Sequence, residues 1–380
     1  MAIAVICEFN PFHNGHKYLL EKAKKITDQP IIAIMSGSFT QRGEVAVTDK
    51  FSRAKTALEN GADLVVELPT VYAVSNAQRF ASCGTHIAKA FDCVDTLAFG
   101  CESESADLLL SASKAVDDER VSALIKEEMK SGNYYPRALE NAVRTVFDDE
   151  TADVLTSPNN ILAVEYIKSL GDGRVKPLPI LRTGVQHDSD VIVKNFASAS
   201  QVRKMLRTGE NAEEFVPVVP CEITYPELLE RAVICKLRSM KIEDFAKLAD
   251  VSEGIENRIY RAVNECSSVE EIIGFVKTKR YTHARIRRII ISAFLGVTEE
   301  MQNTPVEYAR VLGFTKEGAT LLKSCKLEVI TSVSDALKKG GNIEKFLNID
   351  VMATDVSAVA YKNIKSCGAD FTTPVIKSFN

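Results

Sequence analysis

Tryptophan is absent from the 380-residue sequence, and histidine occurs only five times. Long apolar runs are also missing: the longest, near residues 289–297, falls far short of the roughly 18 residues of a membrane-spanning helix. The nine cysteines form no Cys-x-x-Cys pair, which excludes the usual zinc-site and disulfide-framework patterns. The N-terminus also lacks the basic segment of a signal peptide. We therefore expect a cytoplasmic protein with free thiols and no membrane segment.

Neither sign of charge dominates the chain. Lys and Arg total 47 and Asp and Glu total 51, so the formal net charge of −4 does not indicate nucleic-acid binding. Residues 1–220 carry 24 basic and 30 acidic side chains, a balance of −6, whereas residues 221–380 carry 23 and 21, a balance of +2. A polyanion is therefore expected on the C-terminal part, if anywhere.

Strand and helix patterns alternate along the first part of the sequence. Five apolar runs predict strands of a parallel sheet: residues 2–7, 30–35, 62–68, 94–99 and 176–182. Apolar periodicity predicts helices over residues 15–26, 49–60, 75–91 and 198–207. This alternation predicts an α/β fold with a Rossmann-like parallel sheet.

The second part of the sequence has a mainly helical pattern. Helices are predicted at residues 226–239, 255–266 and 282–295, after a proline-containing linker at residues 211–220. We therefore predict two domains: residues 1–215, with a charged helical insertion at about 102–155, and a mainly α-helical domain at residues 216–380. The sequence gives no indication of the oligomeric state.

The segment Cys7–His16 (Cys-Glu-Phe-Asn-Pro-Phe-His-Asn-Gly-His) follows the first predicted strand and opens the first helix. A helix N-terminus presents unpaired N–H groups and a partial positive charge, so it attracts phosphate. His13 and His16 can donate hydrogen bonds to phosphate oxygens, and Gly15 lets the backbone approach a ligand. The alternative, that both histidines only cap or pack the helix, is less favoured for a pair in this position.

A second segment, Ser198–Lys204, places hydroxyls at a predicted helix start, with Arg203 and Lys204 within the first turn or so. This pattern suits a phosphate chain, but an ordinary capped helix has the same pattern, and Ser198 and Gln201 have capping-box spacing. Together with the His-x-Gly-His segment, it resembles the nucleotidylyltransferase and class I synthetase superfamily. In that superfamily, a HIGH-type motif and a late Ser/Lys/Arg motif clamp ATP.

Six further segments narrow the resemblance from the superfamily to one family. They are Ser36–Glu44, Asp49–Ala54, Asp63–Pro69, Phe99–Glu102, Ser157–Leu162 and Lys279–Thr282. In this order and spacing the chain resembles the bacterial tRNA(Met) cytidine acetate ligase family, from Met1 to at least Leu295. The resemblance implies an ATP-dependent, AMP-forming ligase that converts acetate to acetyl-adenylate and releases pyrophosphate. It further implies acetyl transfer to N4 of the wobble cytidine of elongator tRNA(Met), which forms N4-acetylcytidine.

The resemblance also implies an ATP site, in which Ser200 and Arg203 hold the β,γ-phosphates and Arg182 offsets phosphate charge. Its residues are Ile6, Cys7, Glu8, Phe9, Asn10, Pro11, Phe12, His13, Asn14, Gly15, His16, Lys17, Tyr18, Leu19, Gly100, Asn159, Arg182, Ser200 and Arg203. We expect His13, His16, Arg182 and Arg203 to be catalytic. Mg²⁺ is expected with the nucleotide, and no cluster has the spacing of protein metal ligands.

Three residues depart from the family pattern. Phe9 stands where a Tyr is expected, which removes a hydroxyl, and Cys7 and Cys101 are unusual at their positions. None of these departures removes a charged or phosphate-facing group. They bear on the affinity for the nucleotide and leave the expected reaction unchanged.

The predicted tRNA-binding segment is residues 277–288, in which six of twelve residues are Lys or Arg and none is acidic. Such a segment contacts a phosphate backbone, and Tyr281 or His283 is placed to stack on a base. The residues expected to contact RNA are Lys277, Lys279, Arg280, Tyr281, Arg285 and Arg288. The alternative is a solvated basic face of a helix.

Other functions and other residues stay open at this point. Asp49, Lys50 and Arg53 open a predicted helix, where capping is as well supported as binding, and Glu67 lies in a predicted buried strand that needs a cation or backbone donors. Another adenylyltransferase or acetate ligase of the superfamily, acting on a small molecule or a protein-bound group, also fits, as does a non-catalytic RNA-binding protein. No side chain stands out as a base for transfer to cytidine N4.

Overall fold

The structure is a computed structural model that describes residues 1–103, 105–171, 173–182, 195–252, 254–278 and 281–379. In these residues, eight strands form one sheet. The strands are β1 (Ala2–Cys7), β2 (Ile31–Ser36), β3 (Leu64–Leu68), β4 (Val94–Cys101), β5 (Lys176–Leu181), β6 (Tyr308–Thr315), β7 (Glu328–Ile330) and β8 (Ile376–Ser378).

Helices surround the sheet and make up most of the second half of the described chain. In chain order they are α1 (Asn14–Thr27), α2 (Lys50–Glu59), α3 (Thr70–Ala73), α4 (Ala77–Ala90), α5 (Ala106–Val116), α6 (Glu119–Lys130), α7 (Tyr135–Val146), α8 (Asp149–Val154), α9 (Pro158–Leu170), α10 (Ala199–Thr208), α11 (Glu230–Arg238), α12 (Ile242–Phe245), α13 (Ile255–Glu265), α14 (Val269–Val276), α15 (His283–Leu295), α16 (Glu299–Gln302), α17 (Lys316–Leu321), α18 (Val333–Leu337), α19 (Gly341–Ser357) and α20 (Ala369–Thr372). Short 3-10 helices span Pro226–Leu229, Leu322–Ser324 and Ala358–Ala360.

Five parallel strands form the first part of the sheet, in the order β5-β4-β1-β2-β3. β1 lies at the centre, where Ile3 is in register with Ile31 of β2 and Thr96 of β4, and all six of its residues are buried. A strand that is apolar along its length needs cover on both faces, and the connecting helices provide it. The predicted α/β, Rossmann-like parallel sheet is confirmed.

The last part of the chain completes the same sheet. β6 pairs antiparallel with β3, and its other edge pairs with β7 and β8. Residues 216–380 are therefore mainly helical, as predicted, but they also contribute three strands that the sequence analysis did not anticipate. The predicted division into domains at residues 215 and 216 stays a prediction.

The predicted helices of the second half are present, and so is the helical insertion. The 3-10 helix at Pro226–Leu229 with α11, α13 and α15 cover the three predicted segments, and α5–α8 form the insertion. Gly209 ends α10 with a φ of 78°, a conformation that favours glycine. No helix in the described ranges is long and apolar enough to cross a bilayer, and all nine cysteines are unbridged.

Candidate active site

A cavity of about 1010 Å³ lies at the carboxyl ends of β1, β4 and β5. The loop between β1 and α1 forms one wall, the ends of β4 and β5 form the next, and the starts of α10 and α15 close the sides. The open edge of a parallel sheet is where ligands bind in folds of this kind. Most of the predicted ATP residues and the start of the predicted tRNA-binding helix therefore face one cavity.

His13 and His16 are held by the start of α1. The Nδ1 atom of His13 accepts the Gly15 N–H at 3.0 Å, the Nδ1 atom of His16 accepts the His13 N–H at 3.3 Å, and the rings stack 3.7 Å apart. Both residues therefore cap the helix while also lining the cavity. Because Nδ1 of His13 accepts, its neutral ring carries the proton on Nε2, which can donate to a ligand.

Both imidazoles are neutral near pH 7. Burial, together with the charges of Arg182 and Arg203, lowers the pKa of His13 to about 3. Burial also lowers the pKa of His16 well below its usual range, with a further contribution from His13 and Arg182, while the Pro11 backbone acts in the opposite direction. The pair can therefore donate hydrogen bonds, but positive charge must come from elsewhere.

Arg182 and Arg203 supply that charge from two different walls. Arg203, on α10, donates from Nη1 to the Asn10 carbonyl at 2.8 Å, which fixes it beside the start of α1. Arg182 directly follows β5; burial lowers its pKa and nearby Glu102 raises it, but a guanidinium keeps its proton at neutral pH. Two half-buried cations beside two neutral donors form an environment that favours a polyanionic ligand.

The α10 start has the cap predicted for it. The Ser198 hydroxyl accepts the Gln201 N–H at 3.1 Å, and the Ser200 hydroxyl lies 2.9 Å from that of Ser198. Ser200 and Arg203 both line the cavity. The predicted cap of this helix is confirmed, and phosphate binding at its N-terminus stays a prediction.

Most of the predicted ATP segment lines the cavity. The lining residues are Ile6, Cys7, Glu8, Phe9, Asn10, His13, Gly15, His16, Tyr18 and Leu19. Pro11, Phe12, Asn14 and Lys17 are not among them. Phe12 is buried against Phe9 and His16, and the Asn14 amide donates to the Asn195 and Glu214 carbonyls at 2.9 and 2.8 Å. Phe12 and Asn14 therefore support the loop from behind.

Gly100 and Asn159 both line the cavity, but their surroundings differ. A Cβ on Gly100 would lie 3.5 Å from Cγ of Arg182, an ordinary contact, so its missing side chain widens the cavity without being required by the fold. The Asn159 amide donates to Oε1 of Glu102 at 2.6 Å. A role for Asn159 in holding ribose or base stays a prediction, and Glu102 is the group that orients it.

The predicted RNA-contacting residues differ in their surroundings. Tyr281 is only 8% exposed, with the Arg285 guanidinium 5.3 Å from its ring centre, and its role in stacking on RNA stays a prediction. Arg285 donates from Nε to the Asp250 carbonyl at 2.9 Å, and Arg288 forms an ion pair with the Asp250 carboxylate at 3.1 Å. Lys277 is exposed, while Lys279 and Arg280 lie outside the described residues.

Arg287 is a cavity residue that the sequence analysis missed. Its guanidinium lies 2.5 Å from the carboxylate of Glu44, and both residues line the cavity. Residues 283, 284, 287 and 288 of α15 share the face that lines it. Helical spacing could have identified this face, because residue 287 lies four positions after residue 283.

The comparisons with known proteins agree with this geometry. Residues 1–370 match the model of the HIGH Nucleotidyl Transferase family. The tRNA(Met) cytidine acetate ligase of Clostridium tetani is 36% identical over 98% of this chain and 99% of its own, and that of Thermoanaerobacter pseudethanolicus is 37% identical over 99% of each. The chain belongs to the tRNA(Met) cytidine acetate ligase family. Two crystal structures of Thermotoga maritima TmcAL cover 100% of both chains: the apo form has a TM-score of 0.91 at 30% identity, and the form bound with alpha-thio ATP has 0.89 at 28%.

In this member of the cytidine acetate ligase family, Asp49, Lys50 and Arg53 have structural contacts. Asp49 caps α2 by accepting the Ser52 N–H at 2.8 Å. Arg53 is buried and donates to backbone carbonyls, including that of Glu8 at 2.5 Å and that of Gly37. Burial lowers its pKa, which nearby carboxylates raise. Capping and pairing, one of the two alternatives left open, describe these residues.

The predicted cation beside Glu67 is confirmed, and there are two. The Glu67 carboxylate lies 2.7 Å from Nζ of Lys50 and 2.8 Å from Arg310 of β6. Asp370 contacts the same two cations, at 2.8 and 2.5 Å. All four side chains are 0–5% exposed, so this buried cluster ties α2 and β3 to β6 and α20 of the ligase.

Proposed function

We propose that the chain is a tRNA(Met) cytidine acetate ligase that activates acetate with ATP and then acetylates N4 of the wobble cytidine of elongator tRNA(Met). The observation that carries this proposal is one cavity in which the starts of α1 and α10, two neutral histidines and two arginines converge. The relatives that match over their full length are named for tRNA(Met), cytidine and acetate, and a relative with the same fold binds an ATP analogue.

In the first step, one acetate oxygen attacks the α-phosphorus of ATP, and the bond from that phosphorus to the bridging oxygen breaks as pyrophosphate leaves. His13 and His16 donate hydrogen bonds to phosphate oxygens, and Arg182 and Arg203 offset the charge that builds on them. The Ser200 hydroxyl and the start of α10 hold the leaving phosphates. Apolar walls around the cavity keep water from the mixed anhydride.

In the second step, the cytidine N4 amine attacks the acetyl carbonyl and AMP leaves. The cavity extends from the histidines to Thr282, His283 and Arg287 at the start of α15. An anticodon held on that side reaches the acetyl group without crossing the nucleotide. The tRNA backbone is proposed to contact basic residues that are close in sequence to the start of α15. These residues are Lys277, Lys279, Arg280, Arg285 and Arg288.

Mg²⁺ fits this site as a companion of the nucleotide. The described residues form no group of three or more His, Cys, Asp or Glu side chains that could hold a metal ion. Mg²⁺ usually binds through substrate phosphates with few protein ligands, and it would add positive charge there. We therefore expect Mg²⁺ to bind together with ATP. The protein is expected to act in the cytoplasm.

The test measures pyrophosphate release from ATP with and without acetate, followed by nucleoside mass analysis of added elongator tRNA(Met). We expect acetate-dependent release and an acetylated cytidine. Release without acetate and without change in the tRNA would instead support another adenylating enzyme of the superfamily. No release under any condition would support an RNA-binding protein without catalysis.

A further inference from the structure

The second step of the proposed function leaves a proton to be placed. As cytidine N4 bonds to the acetyl carbon, the nitrogen becomes cationic and must lose one proton before AMP leaves. A positioned base in the cavity can take it. The following inference rests on the proposed function and concerns which side chain does so.

The histidines cannot serve as that base. Burial lowers the pKa of His13 to about 3 and that of His16 well below its usual range, so neither holds a proton gained near neutral pH. Their Nδ1 atoms also accept backbone N–H groups. Their geometry suits donation to phosphate, and the base must be found elsewhere in the cavity.

Among the described residues, three carboxylates line the cavity: Glu8, Glu44 and Glu165. Glu44 is paired with Arg287 at 2.5 Å, and Glu165 faces Lys168 at 3.6 Å on α9. Glu8 lies at the end of β1, directly before the loop that carries the histidines. It is the cavity carboxylate nearest in sequence to the predicted phosphate site.

The Glu8 carboxylate is held by one oxygen. Its Oε1 atom accepts the Gln41 N–H at 2.7 Å, and Arg53 fixes its backbone carbonyl at 2.5 Å. Its other carboxylate oxygen accepts no hydrogen bond from the described residues. A carboxylate that is anchored on one side and lines a reaction cavity has the geometry of a general base.

We propose that Glu8 is the general base of acetyl transfer. The N4 lone pair forms the new N–C bond, the second Glu8 oxygen takes one N4 proton, and the electron pair of the acetyl C–O bond leaves with AMP. The proton is released to solvent after product departure. No oxidant, reductant or further reactant is needed.

The surroundings of Glu8 suit this role. Burial raises the pKa of its carboxyl, while the Gln41 N–H and the charges of Arg203, Arg42 and Arg53 lower it. The neighbouring Cys7 thiol and Tyr166 phenol have pKa values raised by burial, so both stay protonated and do not compete as bases. We therefore expect the transfer rate to fall on the acid side at a higher pH than an ordinary carboxyl group would give.

The test compares wild type with E8Q, which keeps the size and the Oε1 acceptor but removes the base. Acetate-dependent ATP–pyrophosphate exchange and acetyl hydroxamate formation with hydroxylamine report the first step, and single-turnover acetylation of tRNA(Met) reports the second. We expect E8Q to lose about 10²–10⁴-fold more in transfer than in the first step. Its transfer rate should also lose the acid limb of the pH profile.

Matched controls separate the outcomes. Glu230→Gln alters a carboxylate outside the cavity whose Oε2 atom also accepts a backbone N–H, that of Val269 at 3.1 Å, and its transfer rate should stay near wild type. A transfer rate of E8Q within threefold of wild type, or an equal loss in both steps, overturns the inference. If wild type itself shows no acetate-dependent exchange, the proposed function fails instead, independently of Glu8. Thermal unfolding of E8Q confirms that it is folded.

Discussion

Two clusters of charged side chains lie along the carboxyl ends of the parallel strands, and they differ in balance. Beside β2 and β3, Lys50 and Arg310 meet Glu67 and Asp370, two cations against two acids, at 2.5–2.8 Å. Beside β1 and β5, Arg182 and Arg203 converge without such ion pairs among the described residues. Paired charge holds the fold together, whereas unbalanced positive charge is suited to an anionic ligand.

The largest expected effect comes from breaking the balanced cluster. Glu67→Ala leaves Lys50 and Arg310 with one buried acid between them, which should lower the free energy of unfolding by about 3–5 kcal/mol. Urea unfolding measures this loss. Lys55→Ala, which removes an exposed side chain 3.9 Å from Glu59, is the control and should change stability by less than about 0.5 kcal/mol. Equal small effects would remove the distinction between the clusters.

In the cavity, a mutation should affect chemistry more than stability. His16→Ala removes one phosphate donor and should slow acetate-dependent pyrophosphate release by about 10²–10³-fold. Binding of tRNA, measured by filter retention, should be unchanged. His86→Ala, which changes a histidine outside the cavity, is the control. A normal rate in His16→Ala would contradict the role of the pair at the phosphates.

Lowering the pH should lower the free energy of unfolding, because the folded state keeps His13 neutral. Its pKa is about 3 when folded and about 6.5 when unfolded, so the unfolded state binds more protons between these values. The stability contribution is complete above pH 6.5 and is lost as the pH falls toward 3, by about 1.4 kcal/mol per pH unit at most. His13→Asn, which keeps a capping acceptor, should flatten this slope. Urea unfolding at pH 7, 6 and 5 tests it; parallel slopes in both proteins would refute it.

The smallest effect is expected at the rim, where charge is exposed. Lys277→Ala should weaken tRNA binding only a few-fold and reduce the slope of log affinity against log salt by roughly one phosphate contact. Titration at several salt concentrations measures this slope. Lys326→Ala, an exposed lysine paired with Asp92 at 2.6 Å, is the matched control. An unchanged slope for Lys277→Ala would place the RNA path elsewhere.

The parallel part of the sheet could be predicted because each of its strands has a recognisable local sequence pattern. Each of β1 to β5 lies in an apolar run that a short window of sequence shows. β6 was missed because its pattern includes Arg310, which is buried only through Glu67 and Asp370. Those partners lie far away along the chain, so no local window of sequence shows that the arginine belongs in a strand.

The candidate site divides in the same way. His13, His16 and Ser200 could be found from short motifs because helix caps depend on residues a few positions apart. The ion pair of Arg288 with Asp250 at 3.1 Å could not be predicted, because nothing nearby in sequence indicates it. The cavity role of Arg287 was likewise hidden, since its partner Glu44 lies on a distant loop.

The antiparallel pairing of β6 with β3 also has a consequence for synthesis on the ribosome. β3 is synthesised more than two hundred residues before β6. Its edge and the Glu67 carboxylate therefore stay unpaired with β6 while the chain elongates. An uncovered apolar edge is a template for association with other nascent chains. A chain halted before Tyr308 should therefore depend on chaperones, although it already carries every residue of the proposed catalytic cavity.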